Sequence, residues 1–204
     1  MLFDDTYQTI TDPVNGLFKD KGSKFIAFAY PLSSEGEVKA YLVKLRAEHT
    51  KANHFCYAYR LTPDRNVYRV NDDGEPSGTA GRPILNALLS ANITNILIVV
   101  VRYFGGTLLG VPGLINAYRS AANEALIFAN IVEKTVNDIY EIKFDYLAMN
   151  AVMRLLKEEQ LTLIDQQFDN QCTIKFEVRK AQLNKVLQRI ENQTDVVLKY
   201  LGTN

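Results

Sequence analysis

The sequence predicts an α+β protein of two domains, residues 1–136 and 137–204, joined near residues 130–137. Three observations predict it. The run Ile96-Leu97-Ile98-Val99-Val100-Val101 is apolar on both faces, as a strand inside a sheet must be. A glycine-rich loop stands on either side of that run, and each loop leads into a proline-started helix. From Asn137 onward a new strand and helix rhythm begins.

Short strands are expected at Tyr7–Thr11 and Val14–Lys19, around the turn Asp12-Pro13. Ser23–Leu32 alternates, with Phe25, Phe28 and Tyr30, like a half-buried strand. Ser33 or Ser34 caps the next helix, Glu35 and Glu37 suit its first turn, and Val38, Tyr41, Leu42 and Leu45 form its apolar stripe up to His49. His54–Leu61 and Val67–Val70 make a hairpin around Pro63-Asp64-Arg65-Asn66. Helices then run over Pro83–Ala91 and from Pro112 to about Phe128, the second carrying Leu114, Tyr118, Ala121, Ala125 and Leu126 toward the sheet.

The second domain reads as a strand at Ile139–Phe144, a helix at Tyr146–Glu158, strands at Leu161–Phe168 and Cys172–Val178, a helix at Lys180–Ile190 and a strand at Val196–Leu201. The order βαββαβ is that of a ferredoxin-like domain. Asp169-Asn170 supplies its central turn, and Lys180, Lys185 and Arg189 read as solvated helix charges.

Composition excludes several classes. The 204 residues carry 23 basic and 23 acidic side chains. Neither half is a polycation, which argues against strong non-specific nucleic-acid binding. Cys56 and Cys172 lie far apart and, with only His49 and His54 as histidines, form no zinc framework. No apolar run is long enough to span a bilayer, and the acidic opening Met-Leu-Phe-Asp-Asp is unlike a secretory signal. A cytoplasmic protein with reduced thiols, no membrane contact and no cofactor is expected.

The chemistry concentrates in the two loops. The first is Asn71-Asp72-Asp73-Gly74-Glu75-Pro76-Ser77-Gly78-Thr79-Ala80-Gly81-Arg82-Pro83, and the second Val101-Arg102-Tyr103-Phe104-Gly105-Gly106-Thr107-Leu108-Leu109-Gly110-Val111-Pro112-Gly113. Glycines allow close backbone approach to a ligand, and a helix N-terminus favours anions. Neither loop is a Walker A or a dinucleotide fingerprint. Asp72, Asp73 and Glu75 are best suited to capping their own loop and pairing with Arg82 or Arg102, and alternatively to a divalent cation. Arg102, Gly105, Gly106, Thr107 and the start of the next helix form a set that could hold a phosphate or carboxylate, with Lys19, Lys21 and Lys24 extending a basic surface. Tyr103 and Phe104 are candidates for base stacking; of the two, Phe104 is the better candidate for plain core packing. His54 and Cys56 share a strand face, as a base and a nucleophile or as ordinary packing residues. The candidate binding set is Lys24, His54, Asp72, Asp73, Gly74, Glu75, Gly78, Thr79, Gly81, Arg82, Arg102, Tyr103, Gly105 and Gly106, with no catalytic residue or metal ligand assigned.

Four blocks, Lys21–Phe25, His54–Ala58, Asn71–Gly81 and Val100–Gly106, together resemble the IMPACT/YigZ family, in its two-domain bacterial form. The resemblance implies a first domain similar in fold to the fourth domain of elongation factor G, and a second similar to that factor's ferredoxin-like fifth domain. Eukaryotic members are linked to control of the kinase that inhibits translation initiation during amino-acid starvation. The function it implies is a non-enzymatic regulatory protein associated with translation, binding RNA, the ribosome or a protein partner in translational control. The alternatives are an enzyme acting on a small phosphorylated or carboxylated substrate beside the loops, and a protein-interaction module docking through the second domain.

Overall fold

The computed structural model describes residues 5–169 and 171–203. The chain divides into two compact units. One is Gln8–Lys134; the other takes the described residues from Thr135 onward together with residues 5–7.

The elements run β1 (Thr6–Ile10), β2 (Val14–Asp20), β3 (Ser23–Pro31), a 3-10 turn at Glu35–Glu37, α1 (Val38–Glu48), β4 (His54–Leu61), β5 (Val67–Asn71), α2 (Gly81–Ser90), β6 (Ile96–Tyr103), α3 (Gly110–Ile127) and β7 (Ile131–Thr135). Five strands form an antiparallel sheet of order β2-β3-β6-β4-β5. β6 sits at its centre, and every residue from Ile96 to Arg102 is buried. Its alternation serves two cores. Ile98 and Val100 pack with Ile84 and Leu88 of α2 and Tyr118 of α3. Leu97, Val99 and Val101 pack on the opposite face with Val38 and Leu45 of α1. The layers are therefore α1, sheet, and the α2–α3 pair.

Pro83 and Pro112 each stand third in their helix rather than first. That position has no intrahelical N–H partner either, so proline fits it. Ser34 caps the 3-10 turn, but its Oγ bonds the Glu37 carboxylate at 3.0 Å instead of a backbone N–H. Residues 131–135, expected as part of a linker, are strand β7, which pairs with β1 in a two-stranded ribbon. The segment Ile-Val-Glu-Lys-Thr is too short and too exposed to show a strand period.

The second unit contains β8 (Asn137–Phe144), a 3-10 turn at Tyr146–Ala148, α4 (Met149–Glu158), β9 (Thr162–Phe168), β10 (Cys172–Arg179), a 3-10 turn at Lys180–Gln182, α5 (Leu183–Glu191) and β11 (Val196–Thr203). Its antiparallel order β11-β8-β10-β9 is that of the split βαβ arrangement. Ile142, Phe144, Ile174 and Phe176 fill its core with Val152, Leu155, Leu156, Val186 and Ile190 of the helices. Asn170 of the expected central turn lies outside the described residues. Lys185 and Arg189 are not merely solvated: both hold the Glu159 carboxylate, Lys185 at 2.7 Å.

Candidate functional site

The acidic loop between β5 and α2 is bonded to its own fold. Asp72 Oδ1 accepts the Ala80 and Gly81 N–H groups at 3.0 and 2.8 Å, and Oδ2 accepts Gly78 N–H at 2.9 Å. The anion at the start of α2 is thus the chain's own carboxylate. Asp72 thereby occupies the Ala80 and Gly81 donors that a ligand anion would otherwise meet there. Asp73 stands at φ +41, fixed by Asn71 Oδ1, which accepts its N–H at 2.8 Å. Its carboxylate accepts Phe55 N–H at 2.7 Å and pairs with Arg46 of α1 at 2.8 Å. Thr79 Oγ1 donates to Pro76 O at 2.6 Å. Gly81 packs on β5, where a Cβ would come 2.7 Å from Asn71 N. Gly74 and Gly78 hold the left-handed turns, at φ +87 and +77.

Glu75 turns inward. Its Oε1 accepts from Arg102 Nη1 at 2.5 Å and from the Tyr118 hydroxyl at 2.7 Å, and lies 4.0 Å from His54 Nε2. Sheet register brings these groups together: Arg102 of β6 lies opposite both Phe25 of β3 and His54 of β4. The guanidinium carbon is 5.4 Å from the Phe25 ring and 5.6 Å from the Phe104 ring. His54 Nδ1 is 2.8 Å from Asp73 O, so Nδ1 carries the hydrogen, since a carbonyl can only accept. Of the two arginines expected to pair with the acids, Arg102 does so through Glu75. Arg82 is exposed and makes no ion pair among the described residues.

Cys56 and His54 do share a face, but not a hydrogen bond. Cys56 Sγ lies 3.0 Å from Asp72 O and 3.3 Å from the Tyr118 hydroxyl. Burial pushes the thiol far up, Tyr118's hydrogen bond opposes this, and the charges of Glu75, Asp73 and Asp72 add to the rise. Tyr118 is likewise pushed up, first by burial and then by Cys56. The thiol therefore stays protonated and is no nucleophile at neutral pH. Among the described residues, no three His, Cys, Asp or Glu side chains are grouped as a metal would need.

The second loop is fastened on two sides. Phe104 N–H donates to Asn53 Oδ1 at 2.9 Å, and Gly105 N–H to Ser23 Oγ at 3.1 Å. Gly105 crosses the β2–β3 turn so closely that a Cβ would fall 1.9 Å from Gly22 C; its glycine serves chain packing rather than ligand approach. Gly106 holds φ +87 with open space around it. The expected order of the two aromatics is reversed. Tyr103 is half-buried on the α1 face, its hydroxyl 2.8 Å from His49 Nδ1, while Phe104 leaves the strand and is 45% exposed. Lys24 lies opposite Tyr103, with Nζ 5.9 Å from its ring. Strand alternation thus places Lys24 and Tyr103 on the other face from Arg102, His54 and Glu75.

Between this loop and the acidic loop opens a cleft of about 500 Å³. Phe104, Leu108, Leu109, Val111 and Leu114 give it apolar walls, and Asn53, His54, Glu75 and Arg102 its polar groups. Leu108 is 84% and Val111 52% exposed. Sequence reasoning missed Asn53, Arg46 and the Tyr118 hydroxyl. Asn53 sits in a short turn and Tyr118 reads as a packing residue, while Arg46 reaches Asp73 across 27 residues of sequence, so no local pattern signals any of them.

Residues 21–126 match the Impact N-terminal domain. The chain belongs to the IMPACT family. All four sequence blocks and every cleft residue fall inside that IMPACT match. The Bacillus subtilis (strain 168) IMPACT family member YvyE is 33% identical over 162 residues, covering 79% of this chain and 75% of its own. The Escherichia coli (strain K12) IMPACT family member YigZ is 36% identical over 146 residues, covering 71% and 72%. A crystal structure of a hypothetical protein, 28% identical, superposes with a TM-score of 0.73 over 97% of this IMPACT chain and 98% of its own. Among the described residues no helix is long and apolar enough to cross a membrane.

Proposed function

We propose that this IMPACT protein is a regulatory protein associated with translation, acting in the cytoplasm by binding rather than by catalysis. Its partner in this reading is RNA or a ribosomal surface, met by the end of the five-stranded sheet where the cleft opens. One observation carries it: the groups suited to chemistry are bound inward, while the groups suited to contact face out. Asp72, Asp73 and Glu75 are each held by the fold. Phe104, Leu108 and Val111 are exposed beside them, the turn at Lys21 and Gly22 abuts Gly105, and Lys24 stands exposed at the start of β3. Family membership supports the link to translation, since IMPACT proteins of eukaryotes are tied to its control.

Pelleting with purified ribosomes tests the reading. The wild-type chain pellets in a salt-sensitive manner, and the Lys21→Glu, Lys24→Glu double variant, altered only at exposed positions, stays in solution. Equal pelleting of both would remove this surface from the interaction. Arg102→Ala is unsuitable here, because it would strip a buried carboxylate of its partner.

A further inference from the structure

We infer that the cleft receives one unpaired base of a single-stranded RNA, with Phe104 as the surface on which it stacks. The inference rests on the translation-associated binding reading above and names the chemistry that its cleft recognises.

Charge balance decides against an anion. Arg102 is 6% and Glu75 4% exposed at the side chain, and the two are already paired. A phosphate or carboxylate reaching Arg102 would sit beside the Glu75 carboxylate, whose charge opposes it. The cleft instead suits a neutral ligand with its own donors and acceptors. His54 lines the cleft, and with Nδ1 engaged by Asp73 O its remaining ring nitrogen is Nε2, 4.0 Å from Glu75 Oε1. Asn53 spends Oδ1 on Phe104 N–H, and no described residue takes its NH2 donors. The walls are apolar, and about 500 Å³ accommodates a nucleobase.

Phe104 supplies what a flat ligand needs. It is 45% exposed, yet its backbone is pinned by Asn53 and the next residue by Ser23. The Arg102 guanidinium sits 5.6 Å from its ring. A pre-positioned aromatic stacks on a splayed base with little ordering cost. Phosphates are served separately. Lys21 is on the adjoining turn and Lys51 is two residues before Asn53; both are exposed, with no carboxylate partner among the described residues.

The test is fluorescence anisotropy of the full chain with a short labelled single-stranded RNA, the same strand carrying abasic sites, and the corresponding duplex. Wild type binds the intact strand more tightly than either other form. Phe104→Ala weakens intact-strand binding about five- to a hundredfold. It does not weaken abasic-strand binding further, and Phe104→Tyr restores the wild-type value. Lys51→Ala weakens all strands alike and lowers the salt slope by about one. No RNA binding, equal affinity for intact and abasic strands, or indifference to Phe104→Ala overturns the inference; a cleft that takes an apolar protein side chain gives that indifference. The two readings fail separately. Ribosome pelleting that survives without base dependence removes only the base site, whereas base-dependent RNA binding without pelleting removes the translation reading and leaves the base site standing.

Discussion

Glu75 and Arg102 meet at 2.5 Å beneath the cleft, each with less than a tenth of its side chain exposed. A buried pair contributes little net stability relative to apolar residues, but removing one member strands the other charge. Glu75→Gln keeps the shape and a Tyr118 contact while leaving Arg102 unpaired. It is expected to cost about 3 kcal/mol in urea unfolding. A loss below about 1 kcal/mol would mean that the pair is not held dry.

Asp72 closes the N-terminus of α2 with three hydrogen bonds. Asp72→Ala is expected to cost about 2 kcal/mol or more, above an ordinary capping loss because the bonds are charge-assisted. Asp72→Asn, with one acceptor oxygen, falls between. Denaturant midpoints check the order, and an Asp72→Ala variant as stable as wild type would make this carboxylate available to a ligand after all.

Neighbouring glycines separate by role. Gly105→Ala forces backbone against the Gly22 carbonyl carbon and is expected to cost about 2–3 kcal/mol. Gly106→Ala meets open space and costs only the left-handed backbone penalty, about 1–2 kcal/mol. Thermal unfolding of the two variants gives the ranking, and the reverse order would contradict the close crossing of the two loops.

The Cys56 thiol is pushed up in the folded chain, chiefly by burial. An acid with a raised folded pKa favours the protonated native state. Its contribution is complete below the unfolded value, about 8.5, and is lost as pH rises above it. Between about pH 8.5 and 10 it adds a stability loss that steepens toward a ceiling of about 1.4 kcal/mol per pH unit. Urea unfolding across that range is expected to be flatter for Cys56→Ala, and equal slopes would show that the thiol ionises alike folded and unfolded.

Much of this was legible in sequence because it is local. The double-faced apolar run of β6, the two proline-led helices and the βαββαβ rhythm all carry their periods in adjacent residues. The loops also announced a dense polar cluster. What was hidden is register and distance. Strand pairing sets Arg102 beside His54 and turns Tyr103 away from it, and a one-residue difference decides which aromatic faces the cleft. Arg46 reaches Asp73 from another element, and Gly105 is explained by a turn far earlier in the chain. β7 escaped notice because five largely exposed residues gain their strand form from β1 and not from their own pattern.

The central claim is association with the translation machinery through an outward-facing surface. Sedimentation of the tagged chain in cell lysate through a sucrose gradient, with and without nuclease, tests it most directly. The account predicts co-migration with ribosomal particles, reduced by Lys21→Glu with Lys24→Glu and shifted when nuclease breaks polysomes. Wild-type protein that remains wholly at the top of the gradient under both conditions would contradict it.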